Sequence, residues 1–204
     1  NALASKLLNK SDLSKALNVE LESPILLVTY HPTTRSTMSV TEEIDQVLSA
    51  LENFSYCTIV FTGVNADPGN AEVSTRIAKF VQSDPKLRSL HASLGQTKYL
   101  SLLNLCDVVI GNSSSGIIEA PAFGKPTVNI GNRQDGRLRA DSIIDVGVTR
   151  QEIQTAIETA LSPTWRERCA KTVSSYTSSN TAQLIADTLK NAELNLHKTF
   201  FDIK

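Results

Sequence analysis

From Asp107 to Arg137 the chain reads DVVIGNSSSGIIEAPAFGKPTVNIGNRQDGR, and this stretch limits the possible folds more than any other. An apolar run at 108–110 breaks into Gly111-Asn112-Ser113-Ser114-Ser115-Gly116, and an apolar-periodic segment carrying Glu119 follows. That order spells a buried strand, a tight polar turn and a helix start. Hydroxyls and backbone N–H groups gathered at the positive end of a helix make an anion seat, and phosphate is the commonest occupant. Glu119, about one turn in, is poorly placed to hold phosphate but can accept hydrogen bonds from two neighbouring hydroxyls, as a ribose offers. The alternative is that Ser113 only caps the helix and Glu119 is an early-turn acid favoured by the dipole. A second strand at 127–130 ends in Gly131-Asn132-Arg133-Gln134-Asp135-Gly136-Arg137. Ligands of open α/β sheets bind beyond the carboxyl ends of the strands, so two such endings point towards a nucleotide site.

The rest of the chain supports an alternating α/β pattern. Pro24 introduces a continuous apolar run at 25–30, which ends in His31-Pro32-Thr33. Further strands are expected at 58–62 and 87–92, with a short edge strand at 142–146. Helices are expected at 11–17 with Ser11 as cap, from Ser39 with Glu42 as a capping box, at 70–82, at 96–105, and from Thr149 with Glu152 as a second box. Pro163 stops that last helix, Trp165 opens another, and a long one runs over 181–196. About five strands alternating with helices predict a parallel, doubly wound, Rossmann-like sheet.

With 204 residues and no linker, repeat or low-complexity tract, one domain is expected. The net charge of −1, with Lys and Arg dispersed, gives no reason to expect nucleic acid or a membrane surface as partner. Cys57, Cys106 and Cys169 are odd in number and unpaired in spacing, so reduced, mostly buried thiols in a cytoplasmic protein are expected. No apolar run reaches membrane-spanning length, and the first twenty residues lack a signal-peptide core. The chain opens without methionine in a polar helical stretch. Residues 1–20 are therefore read as a connecting helical segment, and the whole as a piece of a longer protein.

His31, Asn65, Ser113, Glu119 and Arg133 all follow predicted strands, which places them along one sheet edge. His31 is the candidate acid, base or imidazolium donor there; alternatively it bonds only a turn carbonyl. His91 and His197 lack such company and are read as structural. The edge holds no acid pair, no Ser/His/Asp series, no metal-ligand cluster, and no Walker lysine. No metal or cofactor is expected.

The motifs LLVTYHPTT, FTGVNADPGN, SLGQTKYLSLL, the long stretch above and the closing KTFFDI together resemble the C-terminal half of the UDP-N-acetylglucosamine 2-epimerase family. GNSSSG followed by GNRQDGR resembles its hydrolysing branch. The other branch carries a Ser-Gly-Gly turn and a Thr-Glu-Arg-Pro-Glu segment in those places. The resemblance implies one Rossmann-like domain of a two-domain fold like that of GT-B glycosyltransferases, with the active site in the cleft. It implies conversion of UDP-GlcNAc and water into N-acetylmannosamine and UDP, through elimination of UDP and then addition of water, for sialic acid or related sugars. By that resemblance Ser113 and Ser114 hold the diphosphate, Glu119 the ribose, and the backbone at Leu94 the uracil. Asn65 lines the nucleotide pocket, Arg133 sits by the phosphates, and His31 assists departure of UDP. The catalytic carboxylates then belong to the N-terminal half, a partner on which residues 197–204 are expected to dock; 21–196 form the UDP-binding domain, and a homodimer is possible. The alternatives are the donor-binding domain of a GT-B glycosyltransferase and a non-catalytic nucleotide-sugar sensor.

Overall fold

The computed structural model describes residues 6–33, 38–176 and 180–193. Six parallel strands form one sheet: β1 Ile25–Thr29, β2 Thr58–Thr62, β3 Arg88–His91, β4 Val108–Gly111, β5 Thr127–Ile130 and β6 Ile143–Val146. Their spatial order is β3-β2-β1-β4-β5-β6, so the chain winds outward from β1 in one direction and then in the other. The reversal falls between β1 and β4, where Thr29 stands level with Gly111. A doubly wound sheet opens its crevice at that point.

The central strands β1, β2 and β4 read as nearly unbroken apolar runs because both of their faces are covered. Leu26, Val28, Ile59, Phe61, Val108, Ile110, Val128 and Ile130 pack under α2 (Val40–Leu51), α3 (Asn70–Gln82) and α6 (Arg150–Leu161). Ile25, Leu27, Val60 and Val109 meet α1 (Lys10–Leu17) and α4 (Gly95–Leu105) on the other side. Within the expected connecting segment, Leu13 and Leu17 of α1 are buried in this second layer.

Both capping boxes form, Ser39 with Glu42 and Thr149 with Glu152. Three local expectations are corrected. The cap of α1 is Asn9, not Ser11: its side chain accepts the Asp12 N–H. Pro163 does not merely end α6; it occupies the first turn of α7 (Pro163–Ala170), where a missing N–H costs nothing. The helix after the serine turn, α5 (Ser114–Ile118), lasts five residues before a 3-10 turn over Ala120–Phe123, because Pro121 cannot continue it. The last helix, α8, is described over Thr181–Asn191; its Leu184, Ile185 and Leu189 are exposed. Residues 197–204, including the apolar pair Phe200-Phe201, lie outside the described residues. All three cysteines are free and buried, and burial pushes the Cys106 thiol up to about 12. Among the described residues no helix is long and apolar enough to cross a membrane.

Candidate functional site

The site grows from the junction of β1 and β4. Gly111 has φ of +127°, and a Cβ there would stand 1.9 Å from the Thr29 carbonyl oxygen, so only glycine lets the two strand ends meet. The next residue, Asn112, is fully buried. Its side chain accepts the His31 N–H at 2.8 Å and donates to the His31 carbonyl at 2.8 Å, pairing with that backbone as a strand would. Its own carbonyl accepts from Gln134 Nε2 at 2.8 Å and Arg133 Nη1 at 3.2 Å. One asparagine thus ties together the loops after β1, β4 and β5.

Two open cavities flank this knot. One, of about 380 Å³, is lined by His31, Leu94, Ser113, Ser115 and Glu119, with Thr29, Thr62 and Tyr99 among its walls. The other, of about 590 Å³, is lined by Pro32, Thr33, Asp67, Ser114, Asn132, Arg133, Gln134 and Arg137. Of the residues expected to form a site, His31, Leu94, Ser113 and Glu119 therefore share one cavity, and Ser114 and Arg133 share its neighbour. Asn65 lines neither; it acts on the site through His31.

Among the described residues the His31 ring has a hydrogen bond on one nitrogen only. The Asn65 N–H donates to its Nδ1 at 3.1 Å, so the neutral ring carries its proton on Nε2. Burial, aided by the Arg133 charge, lowers its pKa, while Asp67 opposes the shift. In the chain by itself these surroundings favour the neutral ring as a donor. Asn65 also gives its side-chain amide to the Asp67 carboxylate.

The serine turn forms the cap that was one of its two expected readings. Ser113 Oγ does cap α5, accepting the Ser115 N–H at 3.4 Å, and the Ser115 hydroxyl receives the Tyr99 O–H. The Gly116 N–H is taken by the Ser113 carbonyl, and the Ser114 N–H and hydroxyl have no partner among the described residues. A five-residue helix has little dipole to offer, so any anion drawn here would depend on these groups and on Arg133 rather than on the helix. Glu119 stands half-buried, and its carboxylate has no hydrogen bond or ion pair among the described residues. Sequence reasoning missed Asn112, Tyr99, Asp67, Gln134 and Arg137. All five lay in motifs already singled out, but Tyr99 reads there as one more apolar position of α4.

Architecture and site define a Rossmann-like domain with a polar crevice at its switch point, one of the two domains of a GT-B-like fold. The chain belongs to the UDP-N-acetylglucosamine 2-epimerase family, whose model matches residues 2–190. It is 36% identical over 199 residues to the GDP/UDP-N,N'-diacetylbacillosamine 2-epimerase (hydrolyzing) of Campylobacter jejuni, covering 96% of this chain and 51% of that protein. It is 34% identical to polysialic acid biosynthesis protein P7 of Escherichia coli, covering 100% of this chain and 52% of that protein. The chain thus spans about half the length of these curated relatives. The solved UDP-GlcNAc 2-epimerase of Neisseria meningitidis bound to UDP-GlcNAc superposes with a TM-score of 0.65 at 18% identity, over 90% of this chain and 48% of that one.

Proposed function

We propose that this chain is the UDP-binding, C-terminal half of a hydrolysing 2-epimerase that acts on a UDP-linked N-acetylated sugar. The observation that carries the reading is the pair of adjoining cavities at the β1/β4 junction. One presents a carboxylate without a partner, suited to a ribose, and the other presents an arginine beside a free serine. In this reading uracil and ribose occupy the cavity of Leu94 and Glu119, and the diphosphate runs past Ser113 to Ser114 and Arg133. His31 donates its Nε2 proton to the phosphate as the sugar–oxygen bond breaks, stabilising charge that develops on the leaving group. Deprotonation of the sugar needs a base, which the reading assigns to the other half of the enzyme. Relatives that act on bacillosamine-type and GlcNAc-type sugars by name support the N-acetylated class.

Calorimetric titration of the chain with UDP, with uridine and ADP as controls, tests the reading. UDP is expected to bind best, and Ser114→Ala to weaken UDP by about threefold to tenfold while leaving uridine unchanged. Equal loss for uridine would remove the phosphate from this seat.

A further inference from the structure

The loop after β5 carries three arginines with unequal duties. Arg139 is saturated: its Nε meets the Asp145 carboxylate at 3.0 Å, and its Nη1 donates to the carbonyls of Gln134 and Arg137 at 2.9 and 2.8 Å. Arg133 is partly used, donating to the Asn112 carbonyl. The Arg137 side chain has no ion pair or hydrogen bond among the described residues, yet it lines the larger cavity beside Ser114. Gly136, at φ of +81°, turns the backbone just before it, and Arg139 pins the carbonyl just after its side chain. The loop is therefore braced so that one free guanidinium is presented to the cavity.

The charges of the described lining favour such a group. Asp67 in that cavity offsets one cation. Among the described residues, Arg133 alone would leave the cavity without net positive charge. The diphosphate of a nucleotide sugar brings roughly two negative charges.

We propose that Arg137 is the second phosphate-binding cation of this site and pairs with the outer phosphate of a nucleoside diphosphate. The inference rests on the nucleotide reading above. A guanidinium offers two parallel N–H donors to a phosphate, so replacing it removes hydrogen bonds as well as charge.

The test is titration of the ¹⁵N-labelled chain with UDP and UMP to millimolar ligand, followed by NMR, for the parent, Arg137→Gln and Arg137→Lys. The expected result is a loss of about tenfold in UDP affinity for Arg137→Gln, less than about twofold for UMP, and partial recovery with Arg137→Lys. An unchanged thermal midpoint confirms that folding is untouched, as expected for an exposed side chain. Equal losses for UMP and UDP, or no loss for either, would overturn the assignment while leaving the nucleotide reading intact. A parent chain that binds neither nucleotide would overturn both.

Discussion

Two carboxylates stand at opposite ends of β4, and their surroundings differ in kind. Asp107, at the amino end, is buried and fully engaged: one oxygen accepts the Ser23 hydroxyl and the Ile25 N–H, each at 2.7 Å, and the other meets Arg166 at 2.6 Å. Glu119, beyond the carboxyl end, has no partner among the described residues. The first acid fastens the starts of β1 and β4 together, and its whole capacity is spent inside the protein. The second spends none of its capacity on the described residues. Burying or half-burying a carboxylate is costly unless it is bonded, so an acid left open at a sheet edge marks a ligand more clearly than its residue type does.

The sharpest way to break this contrast is Asp107→Ala. It leaves the buried Ile25 N–H and the Ser23 hydroxyl without an acceptor, and a loss of about 3 kcal/mol in urea unfolding is expected. Little of that comes from the ion pair, since Arg166 is half exposed. Glu119→Ala should stay within about 0.5 kcal/mol of the parent in the same assay; equal stability losses would erase the distinction.

Ligand binding should reverse the order. Glu119→Ala is expected to weaken UDP by about tenfold, and 2′-deoxy-UDP by clearly less. Identical losses for the two ligands would detach Glu119 from the ribose.

The smallest effect concerns His31. Its pKa is lowered from the ordinary 6.5 in the folded chain. The neutral ring's contribution to stability is therefore fully present above the unfolded pKa and is lost as pH falls through the folded one. A phosphate favours the imidazolium, so UDP binding near pH 6.5 should take up a fraction of a proton. Calorimetry in buffers of different ionisation heat reads that uptake directly, and His31→Gln should reduce it; an unchanged uptake would place His31 away from the phosphates.

What was legible in the sequence was local. The capping boxes at Ser39 and Thr149 need only a residue and its third neighbour, and the buried strands announce themselves as apolar runs. Asn9 displaced Ser11 as a cap because the approach to α1 is set from afar: the Leu8 N–H donates to Ser101 Oγ, on α4. The same distance hid the wiring of the site. GNSSSG showed where a turn would be, but not that Asn112 would pair with the His31 backbone, eighty-one positions away. Arg133, Arg137 and Arg139 look alike in sequence, and the fold separates them: Asp145 and the carbonyls of Gln134 and Arg137 make Arg139 the brace, while the Arg137 side chain has no partner among the described residues.

The close approach at Gly111 also bears on how such a crevice can diversify. With no room for even one carbon atom between the ends of β1 and β4, the floor is backbone and admits no side-chain variation. The walls are different: Thr33, Asp67, Asn132 and Arg137 sit on loops that the sheet merely supports. The walls can then change one residue at a time, while the floor stays where the strands put it.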